Sequence, residues 1–168
     1  MTSNKKNQLF TEIYNKNCDS ILRLCYMYLK DRELSKDATQ ETFLKAYRKF
    51  NSFREESSIN TWLTSIAINT CKNIIRKTKH TQTDILLSEV EYQLKTSVTD
   101  SDESINVSEA VASLPNKYKE VILLRYYRDL QIKDISEVLS LPQTTVNYRL
   151  LKAKALLKDT LKEDFFDE

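Results

Sequence analysis

Apolar residues recur every three or four positions over three long stretches in the first half of the chain. Leu9, Phe10, Ile13, Tyr14, Ile21, Leu22, Cys25, Tyr28 and Leu29 predict an amphipathic helix over about 6–29. Leu34, Ala38, Phe43, Ala46, Tyr47 and Phe50 predict a second over about 33–49. Ile59, Trp62, Leu63, Ile66, Ala67, Thr70, Ile74 and Ile75 predict a third, which ends in the basic run Arg76, Lys77, Thr78, Lys79, His80. A polar loop at 51–58, interrupted only by Phe53 and Arg54, separates the last two. Three helices with one apolar face each can share one core.

From about 81 the period fades into Thr, Ser, Asp and Glu, which reads as a linker to about 104; within it, only 85–94 keeps enough apolar residues for a short helix. Helical spacing returns with Val107, Ala110, Val111 and Leu114, and continues through Tyr118, Val121, Ile122 and Leu124. Ile132, Ile135, Val138 and Leu139 then mark a short helix, Leu141-Pro142 breaks it, and Val146, Leu150, Ala153 and Leu157 resume the period on one face. Two short helices meeting at a sharp turn form a helix-turn-helix. The acidic end 163–168 is expected to fray. The expected organisation is therefore a helical domain at 1–80, an acidic flexible linker at 81–104 and a helix-turn-helix domain at 105–168.

Composition narrows the class. The 168 residues include no Gly and two Pro, which disfavours hairpin-rich folds and predicts an all-α protein of two small helical domains. The net charge of +2 hides segregation: 15 Lys and Arg against 8 Asp and Glu over 1–80, 1 against 7 over 81–109, and 10 against 5 over 117–162. Basic blocks suit a polyanion, whereas an acidic stretch spans a gap or meets a basic surface; ordinary solvated faces account for the same pattern. Cys18, Cys25 and Cys71 show no CxxC spacing and His80 is the single histidine, so no metal, cofactor or Cys-His catalytic pair is expected. No stretch approaches the roughly 20 apolar residues of a membrane span, and no signal core opens the chain, so a cytoplasmic protein with reduced thiols is expected, without direct membrane insertion.

The second helix of the helix-turn-helix carries Thr144, Thr145, Asn147, Tyr148, Arg149, Lys152 and Lys154, donors suited to phosphates and base edges. Arg149 has the fork for guanine, Asn147 the amide for adenine, and Thr144 and Thr145 suit a phosphate at the helix start. Arg125, Arg128 and Lys133 are placed to grip the backbone beside the groove. The bland alternative is a helical bundle with a solvated basic face.

Two motifs narrow this further. Residues 37–47, DATQETFLKAY, resemble the D-x-x-Q-E-x-F core of bacterial sigma factors, and 62–73, WLTSIAINTCKN, resembles their W-L-x-x-I-A-x-N helix. After the linker, Leu114-Pro115, Val121 to Arg125 and Asp134 to Leu139 are similar to the promoter-binding module of the same family. Two modules with a short linker resemble the extracytoplasmic-function (ECF) group of RNA polymerase sigma factors. The resemblance implies a non-enzymatic initiation factor that binds core RNA polymerase, reads a promoter at its −35 and −10 elements and opens the duplex.

It also implies roles. Asp37, Gln40, Glu41 and Leu44, at i, i+3, i+4 and i+7, would meet the clamp coiled coil of the β′ subunit, while the second module meets the β flap. Phe53, Arg54, Trp62, Asn69, Lys72, Asn73 and Arg76 would hold melted −10 DNA: aromatics for stacking, Asn69 for a base edge, cations for phosphates. Trp62 suits the core equally well. Arg125, Thr144, Thr145, Asn147, Tyr148, Arg149 and Lys152 would bind the −35 element. An anti-sigma factor, often membrane-anchored in the family, is a further implied partner. Asn73 stands where an Asp is common, Glu55-Glu56 where a turn with Gly is frequent, Ser136 for Ala and Thr144 for Gly. A two-domain operator-binding regulator that does not act through polymerase explains the helix-turn-helix but not the 37–44 face, and a module that sequesters a partner would bind polymerase without initiating.

Overall fold

In the computed structural model, the backbone of residues 2–84 and 102–166 is described, with side chains over 2–79 and 107–161. The helix expected at 85–94 and most of the expected linker lie outside these residues. Seven α-helices are present in the described residues: α1 (Ser3–Leu29), α2 (Arg32–Lys49), α3 (Ile59–Asp84), α4 (Asp102–Ser113), α5 (Asn116–Ile122), α6 (Ile132–Leu139) and α7 (Gln143–Phe166). The all-α expectation holds. α3 runs past the basic 76–80 run, and α7 continues through most of the acidic end that composition led us to expect would fray.

Helix ends follow local chemistry. Asp31 caps α2 by accepting the Leu34 N–H at 2.9 Å, with Glu33 in its first turn and Arg48 and Lys49 in its last, each sign suited to the helix dipole. Ser58 Oγ accepts the Thr61 N–H at 3.1 Å, so α3 starts at Ile59 and Trp62 falls in its first turn. Pro115 and Pro142 precede α5 and α7, where a missing N–H costs nothing. α5 ends in a π-helical turn, Leu123–Tyr127, closed by Arg128 N–H donating to the Leu123 carbonyl at 3.0 Å. Arg125 donates to the Leu130 carbonyl at 2.9 Å and fastens this turn from within.

Without glycine, the chain uses other residues wherever it needs left-handed backbone. Lys30, Glu55, Asp129 and Ser140 have φ of 53–56°, each costing about 1 kcal/mol relative to glycine. Ser140 makes the turn of the helix-turn-helix, and the Ser136 hydroxyl reinforces it by donating to the Leu141 carbonyl.

The two halves pack on each other. α1, α2 and α3 form one bundle around Ile21, Leu24, Ala38, Leu63 and Ile68; α4 to α7 form the other around Val121, Leu124, Ile135, Val146 and Leu150. α3 also lies against α6, α1 touches the π turn, and the buried apolar side chains make one continuous core. The seam is polar at its edges. Arg128, 7% exposed, donates to Thr64 Oγ1 at 3.0 Å and to Asn60 Oδ1, while Asn60 Nδ2 donates back to the Arg128 carbonyl at 3.2 Å. Arg128 is thus a packed bridge to α3 and not a groove-side cation. Lys30 donates to the Ala112 carbonyl, and Tyr127 to that of Ser20 at 3.3 Å. Cys25 and Cys71 are buried free thiols, and Cys18 is half-buried.

Lys119 is buried at the same seam, its Nζ 3.5 Å from the Tyr28 carbonyl; burial first, and the nearby Lys30 charge second, push it down to about 8. Lys119 therefore gives up its proton at lower pH in the folded chain than in the unfolded one. Between about pH 8 and the ordinary lysine range the unfolded state binds more protons, so stability rises with pH over that window. Urea midpoints measured at pH 7.5 and 9.5 are expected to show this rise in the wild type relative to Lys119→Met; an equal pH response in both would contradict it. Ser140→Gly is expected to stabilise the chain by about 0.5–1 kcal/mol, read from the same urea titration, since glycine takes positive φ without the Cβ clash.

Candidate functional site

The first candidate face lies on α2. Its inner row, Ser35, Ala38, Thr42, Phe43 and Ala46, is buried, and the opposite side leaves Asp37, Gln40 and Leu44 in solvent, with Leu44 57% exposed. Leu44, at the end of this row, takes no part in the core. Glu41 is less open: it is half-buried and pairs with Lys45 at 2.6 Å, and Lys45 also donates to Thr70 at 3.3 Å. The spacing that puts the three polar groups on one face also sets Glu41 four residues before Lys45, the interval of a helical ion pair.

The second face follows α3. Trp62, Asn69, Asn73 and Arg76 are spaced by seven, four and three residues and form one stripe. Asn69, Asn73 and Arg76 are exposed, and Arg76 donates to Asn73 at 3.4 Å. Trp62 and Phe53 are both half-buried and stack with ring centroids 4.7 Å apart and planes inclined by 34°; Phe50 approaches Trp62 at 6.5 Å. Trp62 thus packs partly against the core and partly against the loop. Arg54 is exposed beside it, in the loop that turns at left-handed Glu55. Lys72 lies off the stripe and turns to the other half of the molecule, where it pairs with Glu120 at 3.3 Å.

The third face is on α7, whose Val146, Leu150 and Ala153 are buried. Thr144, Asn147, Tyr148 and Lys152 are exposed, Tyr148 by 62%, and Thr145 is half-buried. Asn147 and Tyr148 line a groove of about 500 Å³ with Tyr126, Leu151 and Lys154, the last lying over the Tyr126 ring at 5.4 Å. Tyr126 and Leu151 carry one signal in the sequence, a large apolar side chain among polar neighbours, and both are exposed. Arg149 sits at the flank of the buried row, half-buried, and pairs with Glu120 at 3.5 Å. Arg125, expected to grip DNA, is half-buried, gives one guanidinium N–H to the Leu130 carbonyl and lines the same groove.

One residue that the sequence did not single out, Glu120 of α5, therefore touches two of the expected DNA ligands. It is 5% exposed and accepts a hydrogen bond from the Tyr28 hydroxyl at 3.0 Å. Burial first, and the Glu120 charge second, push the Tyr28 phenol well above its ordinary range, so it stays a donor. Among the described residues no group of His, Cys, Asp and Glu could hold a metal ion, and no helix is long and apolar enough to cross a membrane.

Residues 13–81 match the Sigma-70 region 2 family and residues 104–157 match Sigma-70, region 4. The chain is 34% identical to the ECF RNA polymerase sigma-E factor of Haemophilus influenzae over 139 residues, 75% of this chain and 74% of that protein. It is 30% identical to the RNA polymerase sigma factor SigV of Bacillus subtilis, covering 84% and 85% of the two chains. In fold it is similar to the sigma factor RpoE solved with the anti-sigma factor NepR from Bartonella quintana, at a TM-score of 0.79, 19% identity and coverage of 95% and 98%. CnrH, solved with the cytosolic domain of CnrY, gives 0.70, 18%, 94% and 90%. With both regions matched in order and relatives at this identity aligned over most of their length, the chain belongs to the extracytoplasmic-function sigma factors of bacterial RNA polymerase.

Proposed function

We propose that the three exposed faces divide the work of a sigma factor among themselves. The α2 face, Asp37, Gln40 and Leu44 with Glu41 at its margin, docks on the clamp coiled coil of the polymerase β′ subunit, and the α4–α7 module meets the β flap. The α3 stripe and its loop hold the melted −10 strand: Phe53 and Trp62 offer stacking surface, Asn69 and Asn73 amide groups, and Arg54, Lys72 and Arg76 phosphate partners. α7 enters the major groove of the −35 element with Thr144, Thr145, Asn147, Tyr148, Arg149 and Lys152, and Arg125 steadies the turn behind it. The polymerase supplies the chemistry; this chain directs it and is not itself an enzyme. An anti-sigma factor is a partner by analogy with the complexes of RpoE and CnrH. The chain itself acts in the cytoplasm, where the polymerase and the promoter are.

The observation that carries the reading is the α2 face: an exposed leucine in line with Gln40 and Asp37, one and two turns before it, with the inward row of the helix already buried. An operator-binding regulator has no use for it.

Gln40→Ala combined with Glu41→Lys is expected to abolish binding to purified core polymerase while moving the melting temperature little, because the lost Glu41–Lys45 pair lies at the surface, half open to solvent, and such pairs are worth about 1 kcal/mol or less. Unchanged affinity would remove the assignment, and run-off transcription with core enzyme separates a sigma factor from a regulator or a sequestering module. In the polymerase complex, Arg149→Ala is expected to cost about 1–3 kcal/mol and relax preference at one promoter position, whereas Lys152→Ala weakens all sequences alike and lowers the salt dependence. Binding series on single-base promoter variants decide; equal losses on every variant for Arg149→Ala would count against base reading.

A further inference from the structure

Leu151 is the most exposed large apolar side chain among the described residues, 72% open to solvent. It stands on the face of α7 that carries the promoter-reading donors. Thr144, Tyr148 and Leu151, at i, i+4 and i+7, form one row, with Asn147 one turn before Leu151 and Lys152 one turn after Tyr148. The row lies opposite the buried Val146, Leu150 and Ala153, so Leu151 adds nothing to the core and exposes apolar surface to water. Its surroundings are mixed. With the exposed rings of Tyr126 and Tyr148 it lines the groove of about 500 Å³, where Arg125 and Lys154 also stand, Lys154 over the Tyr126 ring. Cations flank an apolar centre.

That combination suits one strand of a duplex. Arg125, Lys152 and Lys154 are phosphate partners, and the row from Thr144 to Leu151 spans about 10 Å of helix, about three base-pair steps. Along the major groove the base edges are donors and acceptors, with one apolar group among them, the 5-methyl of thymine. Cytosine carries a bare C–H at the same place beside its N4 donor. Leu151 set against any other base takes water from a polar edge without replacing the lost hydrogen bond, whereas against a thymine methyl both surfaces are apolar. The discrimination is thus attractive for thymine and repulsive for the rest.

We propose that Leu151 is a specificity-determining residue of the −35 contact: it packs on a thymine 5-methyl group and so demands thymine at one position of that element. This rests on the assignment of α7 as the −35 reader. Asn147, one turn away, is suited to adenine, so the two side chains together favour a segment that contains A·T pairs.

The test uses the chain bound to purified core polymerase. Selection from a promoter library randomised over the −35 segment gives the preferred duplex, in which each thymine is then replaced singly by deoxyuridine. That replacement removes the methyl and leaves base pairing intact. Wild type is expected to bind one member of this series about fourfold more weakly, the worth of one methyl group moved from water into apolar contact. With Leu151→Ala the thymine and deoxyuridine duplexes are expected to bind alike at that position, and with Leu151→Met the difference persists. Since Leu151 lies outside the core, circular dichroism is expected to show the same helicity for both variants. A series with no weakened member overturns the proposal, as does a loss at the same position that is equally large in Leu151→Ala. It is overturned too if Leu151→Ala weakens binding to core polymerase with the methyl dependence intact, which places a protein and not a base on this face. A −35 preference without methyl dependence removes Leu151 as a reader and leaves α7 in place; no −35 preference at all removes both, so the two readings fail separately.

Discussion

The rest of the structure depends on how charge is buried at the seam between α1–α3 and α4–α7. Each half has an apolar stripe to cover, and the two stripes merge into one core, but the edges of the seam carry a guanidinium and a carboxylate that are almost out of water. Arg128 is met by a hydroxyl, an amide and its own carbonyl's return bond from Asn60, and Glu120 by a phenol and two cations. Burying such groups is costly unless every partner is present, and the cost rises steeply when one is removed. The seam is therefore selective for one docking of the halves while contributing less net attraction than an all-apolar interface of equal size would.

Helices α2, α3 and α7 each devote one face to packing and leave another free. The free faces do not overlap: Asp37 to Leu44 faces away from the seam, the Trp62 to Arg76 stripe runs along α3, and Thr144 to Leu151 lies on the outer side of α7. Lys72 of α3 and Arg149 of α7, beside these rows, both turn to Glu120 at the seam. Position on the helix explains this: each sits to the side of its exposed row, close enough to the other half to find Glu120.

Absence of glycine is a second constraint on the chain. The four left-handed residues lie at the end of α1, in the loop before α3, after the π turn and at the bend of the helix-turn-helix. Each junction is held by side-chain or backbone bonds of neighbouring residues, as with Ser136 on Leu141 and Arg125 on Leu130. The local cost is offset by tertiary contacts, which is why the turns form where sequence alone would favour a more permissive residue.

The sequence by itself determined the helices, their caps and the family. The period of apolar residues located α1 to α3 within a few positions, Leu141-Pro142 marked the bend, and the spacing of Asp37, Gln40, Glu41 and Leu44 put them on one face, because all of this depends on residues three or four apart. What only the tertiary structure decided involves residues far apart in the chain. Glu120 looked like any polar position of a short helix until Tyr28, 92 residues earlier, and Lys72 came to it; Arg128 looked like a phosphate grip until Thr64 and Asn60 enclosed it. Periodicity tells which side of a helix is buried. Which partner a buried charge meets is set by the docking of elements that no local pattern connects.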